Sequence, residues 1–255
     1  MMKKILITGG SKRIGESIAK SLADDGHTIL IHYNNSENEA KKLQNHIRNK
    51  QVASSIYKSN LENEEDIETL LEKIKIDYGD ELDTIINCAS TFENDSAKNF
   101  NSKTFDKHIK TNLLAPIILS KYLSNNCNKS RDNNIINIID QRVLRLNPSY
   151  FSYSISKYGL YGATKMMAQE YSPHIRVNGI APGPIIANID QSQSDFDKEA
   201  SNTPLGHKPD INDISNAIKF ILSTKSVTGQ VIAIDSGQHI SWETPDFVPA
   251  RKIDF

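Results

Sequence analysis

Tyr153 and Lys157 lie four residues apart in a helical pattern, so both project from one face, about a turn from each other. An ammonium near a phenol favours the phenolate and lowers the phenol pKa from ~10 toward working pH, which lets the group give and take protons. Tyr-x-x-x-Lys alone arises by chance in many helices. Here it has company: Asp140 closes an apolar strand pattern upstream, and Asn112 sits inside a long helical pattern. A second chemical cluster, Thr8-Gly9-Gly10-Ser11-Lys12-Arg13-Ile14-Gly15, follows a strand pattern and opens a helix. In that context Gly9 takes a tight turn, Gly15 permits close helix–strand packing, and the N–H groups of the helix start face a dinucleotide pyrophosphate. The alternative is a plain βα turn.

At the end of the next strand pattern stands His32-Tyr33-Asn34-Asn35-Ser36, where a cofactor with a free ribose 2′-hydroxyl usually meets an acidic side chain. With no carboxylate to repel a 2′-phosphate, and with Lys12, Arg13, Asn34 and Ser36 as donors, the residues favour NADP(H) over NAD(H). Asn34–Ser36 can also simply cap the following helix.

These groups need a scaffold, and the hydrophobic pattern supplies one. Short β-branched runs at 3–8, 28–33, 53–58, 84–87, 134–139, 176–180 and 231–234 alternate with helical patterns near 14–25, 37–49, 64–78, 105–125, 150–171 and 211–223. Alternation of this kind predicts an α/β fold, a doubly wound Rossmann-type domain with a seven-stranded parallel sheet and helices on both faces. No linker or repeat divides the chain, so residues 1–255 are expected to form a single domain. Two stretches stand outside the alternation: a polar substrate loop at about 182–209, and a C-terminal tail, 238–255, with Trp242, Phe247 and Phe255.

The 30 Lys plus Arg balance 31 Asp plus Glu for a net charge of −1, which argues against a broad nucleic-acid face. The balance is uneven along the chain: residues 1–20 hold five basic side chains and one acidic, whereas 61–83 hold ten carboxylates and two lysines. The first is a local cradle for a phosphorylated cofactor and the second a solvated helix face. Cys88 and Cys127 offer no disulfide framework and no metal spacing, no run reaches the ~20 apolar residues of a membrane span, and the start lacks signal-peptide design. A soluble cytoplasmic protein without a metal is expected.

The glycine turn, Asn87-x-Ala89, Asn112, Tyr153-x-x-x-Lys157 and Pro182-Gly183 together resemble, in order and spacing, the short-chain dehydrogenase/reductases, over residues 3 to about 237. The resemblance implies cofactor contacts from Gly9, Ser11, Lys12, Arg13, Ile14, Gly15, Tyr33, Asn34, Ser36, Asn60, Leu61, Asn87, Ala89, Ser90, Lys157, Pro182, Gly183 and Ile185. It implies Tyr153 as acid/base, Lys157 as ribose ligand and tuner of Tyr153, a proton-relay water at Asn112, and assembly into homotetramers or dimers. Apolar Leu113, Leu114, Ile117, Ile118, Leu160 and Met166 are consistent with such an interface and equally with core packing.

Three departures narrow the resemblance: Arg13 where most members have a small residue, Asp140 where most have Ser, and Ser90-Thr91-Phe92 where a Gly is usual. Together they resemble the pteridine reductases and bacterial dihydromonapterin reductases. That implies a dihydropterin (7,8-dihydromonapterin, dihydrobiopterin or dihydrofolate) held by Arg13, Ser90, Phe92, Asp140 and Tyr153. A flat heterocycle can stack on Phe92, and a carboxylate at Asp140 can accept from its N–H groups, whereas a Ser hydroxyl suits a ketone oxygen. Each residue has a plainer reading: Asp140 as a cap, Phe92 as packing, Arg13 as a phosphate ligand only. Asn60-Leu61 stands where the family usually has Asp-Leu against the adenine. The rivals are a carbonyl reductase acting on acyl-carrier-protein ketones and a dinucleotide-binding regulator without chemistry.

Overall fold

A computed structural model of the chain describes residues 2–186 and 192–242. The tail from 243 onward, with Phe247 and Phe255, and positions 187–191 of the substrate loop lie outside the described residues.

Branched aliphatic residues fill the short segments that become strands, and their faces are sealed on both sides. Ile5, Leu6 and Ile7 of β1 (Lys4–Ile7) and Ile29, Leu30 and Ile31 of β2 (Thr28–Tyr33) are all completely buried, as expected where helices cover a parallel sheet on both faces. The remaining strands are β3 (Ser54–Lys58), β4 (Thr84–Asn87), β5 (Asn133–Ile138), β6 (Ile175–Pro182) and β7 (Val231–Ile234). All pairs are parallel, in the order β3-β2-β1-β4-β5-β6-β7. The order reverses between β1 and β4, and there a crevice opens outside the strands' carboxyl ends.

Helices α1 (Arg13–Asp24), α2 (Glu37–Asn49) and α8 (Ile211–Ser223) contribute to the core cluster on one face. On the other lie α3 (Glu64–Tyr78), α5 (Ala115–Asn126) and α6 (Phe151–Glu170). Helix α4 (Ser102–Ile109) runs into α5 through a π turn, Lys110–Leu114.

All seven expected strands are present. The polar 182–209 stretch is more ordered than its sequence suggests, because it contains α7 (Gln193–Ser201), capped by Ser192 Oγ accepting from the Asp195 N–H at 3.1 Å. Among the described side chains of that short helix only Phe196 and Ala200 are buried, too few apolar residues to register a helical period. Strand β6 also runs to Pro182 at its last position, where the missing donor is tolerated at a strand end.

Candidate functional site

The phosphate turn is built from backbone. Gly9 has φ +61°, and a Cβ there would sit 2.9 Å from the Ala89 Cα; at Gly15 a Cβ would fall 2.3 Å from the Gly9 carbonyl oxygen. Neither position has room for a side chain, so the β1–α1 turn lies directly against the end of β4. Thr8 Oγ1 fastens the two together by accepting from the Cys88 N–H at 2.9 Å and the Ala89 N–H at 3.0 Å. Lys12, at the N-cap of α1, makes no side-chain cap, so the helix start offers its N–H groups and positive dipole end to an anion.

A residue noted in the sequence only for its place in a motif holds this turn. Buried His32 accepts from the Gly9 N–H through Nδ1 at 3.0 Å, and its Nε2 lies 3.1 Å from the Ser59 carbonyl. A carbonyl can only accept, so Nε2 carries the proton. Burial pushes the imidazole pKa down to about 4, which keeps the neutral tautomer that this bridge from β1 to β3 requires.

The end of β2 sorts the expected ribose-phosphate ligands. Tyr33 is packed in the core, whereas Asn34 is exposed and the Ser36 hydroxyl, although at the N-cap of α2, makes no cap hydrogen bond. Plain capping therefore does not account for Ser36. Lys12 pairs with Glu39 at 3.2 Å. Arg13 adopts a left-handed conformation, φ +53°, and its Nη2 donates to the Ile186 carbonyl at 3.2 Å, spanning the crevice from the turn to the segment after β6. Asn60 spends its Oδ1 on the Glu62 N–H at 3.1 Å and its backbone N–H on Asp66 Oδ2 at 3.2 Å. Leu61 and Ile185 are core residues, Gly183 abuts Asp235 with a Cβ gap of 2.6 Å, and Pro182 ends β6 beside them.

Across the crevice, β5 and α6 bring together the residues the sequence proposes for chemistry. Tyr153 donates its phenolic proton to Asp140 Oδ2 at 2.7 Å, while Asp140 Oδ1 accepts from the Arg142 N–H at 2.8 Å. Asp140 thus caps the turn after β5 with one oxygen and binds Tyr153 with the other. Lys157, buried, donates to the Ile138 carbonyl at 2.8 Å, and its Nζ is 5.8 Å from the centre of the Tyr153 ring.

The electrostatics correct one expectation. Lys157 does not pull the Tyr153 pKa down; burial and the adjacent Asp140 carboxylate hold it well above the ordinary phenol value. Burial also raises the Asp140 carboxyl and lowers the Lys157 ammonium to about 8, the latter opposed by the Asp140 charge. The arrangement is a protonated phenol resting on a carboxylate that is itself costly to ionise.

Asn112 lies in the π turn, fully buried, with every amide position engaged. Its Oδ1 accepts from the Thr91 N–H at 2.9 Å and the Ser90 hydroxyl at 3.2 Å, and its Nδ2 donates to the Thr91 carbonyl and to Ser156 Oγ, both at 3.0 Å. An Asn side chain has no further capacity, and the amide pins the Ser90–Thr91 loop to α6. The Asn87 amide donates to Asn137 Oδ1 at 2.8 Å, and its own Oδ1 has no partner among the described residues. Phe92 also departs from expectation: its ring stacks on Tyr150 at 4.3 Å and meets Tyr153 edge-on at 4.5 Å, so part of the surface expected for a substrate is already covered. The Arg142 guanidinium lies 4.9 Å from the centre of the Tyr150 ring. Tyr150 itself is left-handed, φ +56°; nothing in the sequence pattern marked it.

A doubly wound parallel sheet with a glycine turn at its switch point, flanked by a helix presenting Tyr-x-x-x-Lys beside it, defines a dinucleotide-dependent reductase architecture. The chain belongs to the short-chain dehydrogenase/reductase family, and a family model described as enoyl-(acyl carrier protein) reductase matches residues 9–239. Curated relatives include the 3-oxoacyl-acyl-carrier-protein reductase FabG of Rickettsia bellii, 32% identical over 237 residues that cover 91% of this chain and 95% of that protein. FabG of Staphylococcus aureus strain N315 is 29% identical over 245 residues, covering 94% and 99%. Among solved structures, FolM alternative dihydrofolate reductase 1 from Brucella canis, complexed with NADP, is 35% identical with a TM-score of 0.93, covering 96% of this chain and 97% of that one. A metagenomic blue fluorescent protein in complex with NADPH, at 23% identity and TM-score 0.85, shares the fold.

Proposed function

We propose that the protein is an NADPH-dependent reductase of a dihydropterin, 7,8-dihydromonapterin or a related dihydrobiopterin or dihydrofolate, acting on its C=N bond. The observation that carries this reading is the 2.7 Å hydrogen bond from Tyr153 to Asp140. A carboxylate at that point can accept from the N–H groups of a pterin, and it would repel the developing alkoxide of a ketone. The likeness to a FolM protein named as an alternative dihydrofolate reductase and solved with NADP supports both substrate class and cofactor.

The cradle fits a dinucleotide: Gly9 and Gly15 leave no side chain in the turn, the α1 start is uncapped, and Asn34 and Ser36 remain for a 2′-phosphate. Bound there, NADPH supplies the hydride that reduces the substrate carbon. Tyr153 gives its O–H proton to the substrate nitrogen, and its raised pKa keeps that proton in place until it is needed. Asp140, whose side chain is 19% exposed, takes a replacement proton from solvent and returns it to Tyr153; its raised pKa suits that exchange. Lys157 contributes a cation facing the nicotinamide ribose, Arg13 and Ser90 bind at the substrate edge, and the Phe92–Tyr150 stack forms the wall.

A second reading, a ketone reductase, is favoured by the FabG relatives. Steady-state NADPH oxidation with dihydromonapterin, dihydrobiopterin and dihydrofolate against a panel of acyl and simple ketones separates the two. Asp140→Ser should abolish most pterin turnover and leave or raise ketone turnover; full pterin activity in that variant removes the main support. Self-association belongs to the same proposal, since Tyr158 and Met166 on α6 are 51% and 69% exposed; Leu160 is core. Sedimentation that returns a monomer counts against it.

A further inference from the structure

We infer that Asp95 and His108 are positioning residues for the proposed reaction, because they fix the Ser90–Asp95 strap that sets Phe92 and Tyr150 around the Tyr153–Asp140 pair; the inference rests on the functional reading above.

Three buried polar side chains tie this strap at successive points. Asn112 holds both the N–H and the carbonyl of Thr91, just before Phe92. His108, one turn earlier on the same helical run and completely buried, holds the residue just after it: its Nδ1 lies 2.8 Å from the Thr104 carbonyl and its Nε2 accepts from the Glu93 N–H at 3.2 Å. The carbonyl can only accept, so Nδ1 carries the proton and Nε2 is left as the acceptor that Glu93 needs. The two ties leave the Phe92 backbone little freedom, and its ring direction follows.

Asp95 closes the strap onto the helix that carries Tyr153 and Lys157. Tyr150, the N-cap of α6, is left-handed and makes no side-chain cap. In its place the Asp95 carboxylate accepts from the Ser152 N–H at 3.0 Å and from the Ser152 hydroxyl, and the Asp95 carbonyl accepts from the Phe151 N–H at 3.2 Å. A residue far away in sequence therefore satisfies the orphan donors at the start of α6 and places a negative charge at its positive end. Strap and helix start are thereby bonded together, with Phe92 stacked on Tyr150 between the two anchor points.

The test compares Asp95→Ala and His108→Ala with the conservative Asp95→Asn and His108→Gln, whose amides can still accept from the Ser152 and Glu93 N–H groups. Both alanine variants should raise KM for dihydropterin and lower kcat, each by about tenfold, while NADPH affinity by fluorescence titration stays within ~twofold. The conservative variants should recover most of the loss. Hydrogen exchange read at 90–95 and 150–154, with 9–15 as the internal reference, requires no substrate and should accelerate only in the first two segments. Should Asp95→Ala prove poorly folded, Ser152→Ala removes the hydroxyl contact alone and should give a smaller change of the same pattern. Unchanged exchange in the strap overturns the inference whatever the substrate is. Faster exchange with unchanged kcat and KM overturns it too, by making the strap merely structural. Wild-type protein that ignores every dihydropterin instead overturns the functional reading, and the exchange result then still decides whether the strap is held as described.

Discussion

The two walls of the crevice are made of different material. On the β1–β2 side the site is mostly backbone: a glycine turn against Ala89, an uncapped helix start, and one neutral imidazole holding the Gly9 N–H. On the β4–β5 side it is a web of side chains, the buried Asp95, His108, Asn112, Tyr153, Ser156 and Lys157 with the partly exposed Asp140, each hydrogen-bonded to the next element. Backbone donors present one fixed chemistry, suited to the pyrophosphate of a dinucleotide, which is the same whatever the substrate. Side-chain networks can be altered one residue at a time, which makes this the wall able to encode a substrate preference.

Removing chemistry from the side-chain wall should have the largest effect. Tyr153→Phe deletes the proton and leaves the packing, so kcat should fall by about 10³-fold with NADPH binding intact. Loss of NADPH binding in that variant would break the contrast, because it would place Tyr153 in the cofactor wall as well. The converse change is Gly9→Val, which forces a Cβ toward the Ala89 Cα at 2.9 Å in a left-handed conformation. NADPH affinity should drop by roughly 100-fold as the turn is pushed off the β4 end. A variant that loses turnover while keeping NADPH affinity would contradict the division.

Lys157 stands at the junction, and its titration sharpens the comparison. Its ammonium pKa is lowered to about 8 by burial, so the cation is present below that pH and lost above it. With the cation go its attraction for the Asp140 carboxylate and for an anionic cofactor, and kcat/KM for NADPH should decline above about pH 8. Lys157→Arg keeps its charge at any working pH and should remove this limb even if the plateau is lower. A limb that persists in the Arg variant belongs to another group.

The same contrast explains what could be read from the sequence. The sheet, the glycine turn and every described α-helix but α7, with α4 and α5 read as one run, follow from local patterns: apolar runs, a period near 3.6, and glycines at a βα junction. The Tyr153–Lys157 pair is legible because i,i+4 spacing is itself geometry. Asp140 is legible through the resemblance to pteridine reductases, which implies a carboxylate there, and the 2.7 Å contact with Tyr153 is in keeping with it. By contrast, Asp95 and His108 act across α4, the strap and α6, and Tyr150 through an unusual φ; such contacts leave no periodic mark. The expected effect of Lys157 on Tyr153 erred for a related reason. Spacing predicts proximity, and the sign of a pKa shift depends on burial and on the carboxylate that the fold places closer.

Arg13 gives the smallest and most diagnostic prediction, because it belongs to the backbone wall and reaches beyond it. It occupies a left-handed conformation that non-glycine residues adopt at a cost of order 1 kcal/mol, and its guanidinium donates to the Ile186 carbonyl. Arg13→Gly relieves the backbone strain and adds unfolded-state entropy, two terms of similar size and opposite sign, so stability should change by less than about 1 kcal/mol. If the side chain serves the substrate, KM for dihydropterin should rise by about tenfold while NADPH affinity falls less. A variant with higher stability and undiminished turnover would show that the strain serves neither wall. One that loses NADPH and pterin affinity equally would assign Arg13 wholly to the phosphate turn, and substrate selection would then rest on Asp140 and the strap alone.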